Sequence, residues 1–469
     1  MQRKYETKEI TIRNRFTRLG GIFLLILPLL LAAMNAFALK IHGGHIKGMD
    51  LSAKGGTVVP PPDPPPPPPP PPDPGGTPGD VTGGTVDPKQ NAYHTSWYEN
   101  IYPRAMYKNG KTFITYHCYN FDTCARAYNN QTKTWEKPVW VGTNSIGGFA
   151  NSHGNPAVFV DHTGQVHVFY GAQQTSLKYS RTTTPGDLRT LKAQPAIGTN
   201  ITYPQAMELS DGKIWLFHRS AGAGYDFCYR TSADGGKTWS STVQLINSSE
   251  VWYGFASKGQ NDKIHMVFHV YNRVGTANYP RENVYYMYRN PTDGKWYNIN
   301  DKPVTVPITT QDYANANCRI YNSNGIHTDL DRVRETVNGN LYIGWIEDHS
   351  YKMLVHNGTS FEPVRSLSFP DEPPLNQADF WVENNFKIKL YLSVKGGEIG
   401  LWESTDQGAN WTKKVAQLSG TVHPKKVRVP MVIDDHPPEE EVIYYTATDK
   451  YEEGKMYMWG PNGYILKQP

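Results

Sequence analysis

Two octets constrain this chain more than any other feature. Ser232-Ala233-Asp234-Gly235-Gly236-Lys237-Thr238-Trp239 and Ser404-Thr405-Asp406-Gln407-Gly408-Ala409-Asn410-Trp411 share the spacing Ser-x-Asp-x-Gly-x-x-Trp. In that pattern a short acidic side chain folds back on turn amides, glycine accepts positive φ, and tryptophan anchors the turn on a sheet. Upstream of the first octet, Ile214 and Leu216 alternate with Trp215 and Phe217. That period of two marks a strand. Asp211-Gly212, just before it, is a tight-turn signal joining two strands.

Long helical patterns are absent, and aromatic residues, glycine and turn dipeptides recur, so the expected class is all-β. The paired octets resemble the Asp-box of sialidase-type β-propellers, where the box is scaffold. Units of about 45–55 residues, the size of propeller repeats, can be counted along 91–469. Their strand runs include Phe113–Tyr116, Val166–Tyr170, Ile214–Arg219, Ile264–Phe268, Leu341–Trp345, Ile388–Leu392 and Val442–Tyr445. The count predicts a seven-bladed β-propeller, with six or eight blades as alternatives.

Ahead of the repeats stand two segments of different character. Residues 1–18 carry six Lys or Arg and two Glu; an apolar run follows from Leu19 to Ala33, and Ala36-Phe37-Ala38 has the form of a cleavage site. Residues 1–38 therefore read as a secretory signal peptide, with an uncleaved anchor as the alternative. The expected location is secreted, extracellular or periplasmic, with no stable membrane insertion after cleavage. That segment accounts for the whole excess of 47 basic over 43 acidic residues. The remainder is balanced, which argues against nucleic acid as a partner. Residues 39–90 read as a Pro/Gly-rich linker. Pro60 to Pro74 is almost unbroken proline, a polyproline rod spanning about 46 Å at ~3.1 Å per residue.

Export permits disulfides among Cys118, Cys124, Cys228 and Cys318. Cys118 and Cys124 flank a short turn and can bridge a hairpin or stay free; nothing in the sequence pairs the other two. No CxxC spacing supports a Cys/His metal site.

A propeller binds ligand at one end of its channel, so functional residues should recur at similar places in successive repeats. Asn151-Ser152-His153-Gly154-Asn155-Pro156, Thr202-Tyr203-Pro204 with His218-Arg219, and Trp252-Tyr253-Gly254 meet that test. The first of these, together with Asp161-His162-Thr163-Gly164-Gln165-Val166-His167-Val168-Phe169-Tyr170-Gly171 and Phe217-His218-Arg219-Ser220-Ala221-Gly222, resembles propeller polysaccharide lyases with BNR-type repeats, especially ulvan lyases. The resemblance covers most of 91–469, and its sharp motifs fall in 150–255. It implies β-elimination at the uronic acid of an acidic sulfated polysaccharide, by a monomer.

That chemistry needs three kinds of group. A cation must neutralise the uronate carboxylate to stabilise an enolate-like transition state, and arginine does so through a paired fork. A base must take the C5 proton and an acid must protonate the departing O4. By the resemblance, His153 and Tyr203 form the base and acid pair in an order left open, and Arg219 neutralises the carboxylate. Tyr253 positions the sugar, and Gln173 and Asn155 are further substrate-binding candidates. A neutral imidazole is available near pH 6.5, whereas a tyrosine base would need a cationic neighbour. No cofactor is required for this chemistry. Some relatives hold a structural metal, Zn or Ca here, whose ligands cannot be mapped onto this chain.

Plainer readings stand beside each assignment. His153 can satisfy loop amides, Tyr203 can be a buried aromatic, and Arg219 can pair with a structural carboxylate. His167, inside an alternating strand, reads as packed, and His218 alternates to the face opposite Arg219. One departure from the resemblance stands out: where a second histidine is expected, this chain has Gly171-Ala172-Gln173-Gln174. Glutamine can hydrogen-bond a sugar hydroxyl but cannot carry a proton. The alternatives to a lyase are a sialidase-like propeller glycoside hydrolase and a non-catalytic carbohydrate-binding propeller. Against the hydrolase, Tyr102-Pro103-Arg104-Ala105 is a poor match to an Arg-Ile-Pro motif, and no carboxylate pair is evident.

Overall fold

The computed structural model describes residues 105–118, 122–144, 152–173, 175–220, 226–271, 281–348, 350–368, 374–383, 386–394, 398–415, 426–435, 442–447, 455–460 and 463–464. The chain divides into two units, Met1–Pro69 and Pro70–Pro469, and every described residue belongs to the second. The expected signal segment 1–38, the linker 39–90 and the stretch 91–104 lie outside the described residues. Among the described residues no helix is long and apolar enough to cross a membrane.

The described residues form seven antiparallel sheets that follow one another along the chain, five of four strands and two of five. The expected all-β class is found; among the described residues there is one short α-helix, Gln311–Asn317, capped by the Thr310 side chain. Within each sheet the first four strands pair in chain order through hairpins, and in the two five-stranded sheets the added strand, Val139–Gly142 or Arg319–Tyr321, pairs instead with the third strand. The third sheet shows how local chemistry sets this. Between its strands Ile201–Glu208 and Ile214–Ser220, Gly212 takes φ 75° and its N–H donates to Leu209 O, while Asp211 Oδ1 accepts from the Lys213 N–H. Asp-Gly supplies the positive φ and the side-chain acceptor that a tight reversal requires.

Both faces of the central strands are buried. Ile214 and Leu216 pack with Phe169 and Tyr179 of the second sheet, while Trp215 and Phe217 pack with Ile264, Met266 and Phe268 of the fourth. The alternation in the sequence thus sends successive side chains to two different neighbouring sheets. The first and last sheets also meet: Ala105, Ile114 and Tyr116 share a cluster with Met431, Ile433 and Met458, and the Tyr107 N–H donates to Asp434 O at 2.9 Å.

The two octets form superimposable turns. Ser232 Oγ donates to Asp234 Oδ1 (2.8 Å) and accepts from the Gly236 N–H (2.8 Å); Asp234 accepts from Thr238 N and Oγ1. Ser404, Asp406, Gly408 and Asn410 repeat the arrangement with distances of 2.8, 2.7, 2.8 and 2.7 Å. Gln407 holds the positive φ (61°) that Gly235 (66°) supplies in the first copy. Trp239 packs edge-on against Phe169 and Tyr179 of the preceding sheet, which makes the turn a clamp between sheets.

Cys118 and Cys124 are joined by a disulfide across the hairpin, while Cys228 and Cys318 are free and buried.

Candidate active site

The chemistry-bearing groups gather where the first strands of neighbouring sheets begin. His153 lies in the single turn Ser152–Gly154, which packs against the strand Ile201–Glu208. Its ring is stacked on that of Tyr203, with centroids 5.5 Å apart and planes 24° from parallel. Asn155, two residues on, is buried, with no hydrogen-bond partner for its amide nitrogen among the described residues.

Tyr203 owes its position to a break in the ladder. Thr202 pairs with Arg219 and Gln205 with Phe217, so Tyr203 and Pro204 form a bulge. Proline has no N–H to give the ladder, and a bulge re-aims the side chain beside it. Tyr203 itself adopts φ 62°. A left-handed conformation costs a non-glycine residue roughly 1–2 kcal/mol, and such strain collects at functional sites.

Arg219 is buried, and its guanidinium carbon lies 4.4 Å from the Tyr203 ring centre and 4.9 Å from that of Tyr253. The two phenol rings are 5.9 Å apart. Three sheets therefore bring His153, Tyr203, Arg219 and Tyr253 to one place. Gln173 follows the strand Val166–Tyr170; its backbone N–H donates to Thr175 Oγ1, and Thr175 bridges to Ile201 at the start of the Tyr203 strand.

The other histidines of these strands are structural. His167 joins Tyr179 Oη (2.6 Å) and Asp161 Oδ2 (3.1 Å) in a buried triad, and His265 repeats it with Tyr286 and Glu335. His218 points away from Arg219 into the packing, where burial and then the Arg230 charge depress it to about 3.

The sequence reading missed a second group. His269 stands opposite Tyr253 across the ladder and meets its ring edge-on at 5.7 Å. Arg281 places its guanidinium carbon 4.5 Å from the same ring and is ion-paired with Asp329. A signal was present: Arg219 and His269 each stand five residues after the isoleucine that opens their strands, Ile214 and Ile264. Burial, reinforced by the Arg281 charge, holds His269 well below the usual histidine range, so it is neutral at pH 7.

Two other features carry no such convergence. A cavity of about 700 Å³ opens at the far end of the first strands and contains none of the six candidates. Two pairs among its charged groups are engaged with one another, His162–Glu208 and Arg332–Asp434. Among the described residues no three His, Cys, Asp or Glu cluster to hold a metal ion, and burial pushes the Cys228 and Cys318 thiols up to about 12.

The fold and this cluster define an all-β propeller with a cationic, aromatic site where the first strands begin. A family model described as "BNR repeat-containing family member" matches residues 111–359, more than half of the chain, and the chain belongs to that family. It is 24% identical over 427 residues to an ulvan lyase of Nonlabens ulvanivorans, covering 78% of this chain and 87% of the relative. It is 25% identical over 418 residues to "Ulvan Lyase-PL25" of Pseudoalteromonas sp. (strain PLSV), covering 78% and 84%. Among solved structures, a polysaccharide lyase described as PL25-Ulvanlyase is similar with a TM-score of 0.71 at 20% identity, over 83% of this chain and 97% of that one. The BP39L lectin of Burkholderia pseudomallei shares the fold more loosely, with a TM-score of 0.51 at 10% identity over 77% and 97%.

Proposed function

We propose that this chain is a polysaccharide lyase that cleaves ulvan, or a closely related sulfated uronate polymer, by β-elimination. The observation that carries the reading is the Arg219 guanidinium lying within 5 Å of both the Tyr203 and Tyr253 ring centres, with His153 stacked on Tyr203. The named relatives along most of the chain are ulvan lyases, which favours elimination over hydrolysis or binding alone.

In this scheme the uronate carboxylate docks on Arg219, whose charge offsets the negative charge that grows as the C5 proton leaves. His153 and Tyr203, whose rings are stacked with centroids 5.5 Å apart, divide the acid and base work. Arg219 is also the cationic neighbour a tyrosine base requires. Tyr253 seats the sugar, and Asn155 and Gln173 contact its hydroxyls. The C5 proton passes to the base, the C4–O4 bond breaks with its electron pair leaving on O4, and the acid protonates O4. The product carries a C4–C5 double bond. Side chains alone supply these steps, without a cofactor.

The same reading includes a ring of seven blades and an exported monomer. The seven consecutive sheets and the contact between first and last support the ring, and the basic-then-apolar start of the chain supports export.

The test is to incubate the purified protein with ulvan and with other uronate polymers while following ultraviolet absorbance. An unsaturated uronate absorbs and a hydrolysis product does not. A rise with ulvan is expected; no rise with any uronate polymer would overturn the assignment.

A further inference from the structure

Behind Tyr253 stands a charged group for which the elimination scheme has no task. Arg281 opens the strand Arg281–Arg289, and its guanidinium carbon lies closer to the Tyr253 ring centre (4.5 Å) than that of Arg219 does (4.9 Å). Arg281 is ion-paired with Oδ1 of Asp329, on the next sheet, and Oδ2 of Asp329 accepts from His327 Nε2 at 3.0 Å. The Arg281 backbone N–H donates to His327 Nδ1 at 3.0 Å, so a neutral His327 carries its proton on Nε2, toward Asp329. Both carboxylate oxygens are thus engaged.

Two features separate this group from Arg219. Asp329 is buried, and although burial alone would raise its carboxyl, the Arg281 charge and the His327 hydrogen bond hold it at about 2. It is therefore ionised at neutral pH and offsets the Arg281 charge, so the pair adds little net attraction for an anionic sugar. What it adds is geometry. A guanidinium on a long flexible stem is fixed in place once a buried carboxylate holds it. The flat face of Arg281 then has one resting place against Tyr253.

We propose that Asp329 is a positioning residue for Tyr253: by fixing Arg281 against that ring, it sets the phenol relative to Arg219 and the bound sugar. The proposal rests on the lyase reading above. The experiment compares kcat and KM on ulvan, by absorbance, for Asp329→Asn, Tyr253→Ala and the double variant. Asp329→Asn should lower kcat/KM roughly tenfold, within the range of coupling seen for residues sharing a network. It should cause no further loss when Tyr253 is already alanine. Equal losses in both backgrounds, or none in either, would overturn the proposal. Arg281→Lys keeps a charge for Asp329 but removes the planar stack, and should lose comparable activity with its melting temperature preserved; wild-type activity there also overturns it. Should Asp329→Asn fail to fold, Arg281→Lys carries the test alone. If the wild-type protein releases no unsaturated product from any uronate polymer, the lyase reading fails separately. Crystal structures then decide the positioning: a displaced Tyr253 ring in Arg281→Lys supports it, and an unmoved ring sinks it.

Discussion

The guanidinium carbon of Arg219 lies 4.4 Å from the centre of the Tyr203 ring, although the strand register pairs Arg219 with Thr202. The two side chains meet because the ladder breaks at Tyr203-Pro204 and the bulge turns the phenol toward the neighbouring guanidinium. A proline in place of a hydrogen-bonding residue thereby becomes part of the site's construction.

Replacing Arg219 by alanine should remove nearly all turnover, by roughly a hundred- to a thousandfold, the usual cost of deleting a group that stabilises transition-state charge. Arg219→Lys should recover only part, because an ammonium cannot offer a paired fork. Steady-state absorbance assays on ulvan check both, and near-normal turnover in Arg219→Ala removes that residue from the mechanism.

His153→Ala and Tyr203→Phe should each slow the reaction by about a hundred- to ten-thousandfold with the melting temperature retained. The distinction between acid and base comes from the pH profile of kcat/KM. Loss of the base should abolish the limb that rises with pH, and loss of the acid the limb that falls. Wild-type kinetics in either variant excludes that residue from proton transfer.

The parts of this site that were legible in the sequence are those fixed by local chemistry. Alternation in Ile214–Phe217 marked a strand, Asp211-Gly212 marked its hairpin, and recurrence at successive repeat starts pointed to His153, Tyr203 and Tyr253. His218 was expected to face away from Arg219, and it does. The positive φ of Tyr203 was not legible, since Pro204 announces a broken ladder but not the direction of the turn. Arg281 and Asp329 were missed for a different reason. They are 48 residues apart and meet only through the packing of two sheets, a relationship no single-strand pattern encodes. His269 was the avoidable omission, since it holds the strand position of Arg219.

The Ser-x-Asp-x-Gly-x-x-Trp turns should be scaffold. Asp234→Ala removes the acceptor of Thr238 N and Oγ1 and of Ser232 Oγ; the Thr238 donors are exposed and can turn to water, so the loss should be about 1 kcal/mol. The melting temperature should fall by about a degree or two while kcat/KM on ulvan stays within about twofold. A large kinetic loss in a stably folded variant would bring the turn into substrate contact.

Acid sensitivity should begin at histidine pH values rather than at carboxylate ones, and His218 provides the means to test this. Burial first, and the Arg230 charge second, lower it from 6.5 to about 3 in the folded protein, and neither ring nitrogen has a well-formed hydrogen bond among the described residues. Between those pH values the unfolded chain binds a proton that the folded chain refuses. Stability is therefore lost as pH falls below about 6.5, and the loss continues to about 3. His269 is shifted in the same direction. Asp161 and Asp329, held at about 2 against an ordinary 3.8, add their own loss only between about pH 4 and 2. Leucine at 218 removes the titrating group and fills a similar space, so His218→Leu should match the wild type near pH 8 to within about 1 kcal/mol. Denaturant unfolding measured from pH 8 to 4 should then show a shallower decline for the variant. Parallel curves would mean that the buried imidazole is not what makes the fold acid-sensitive.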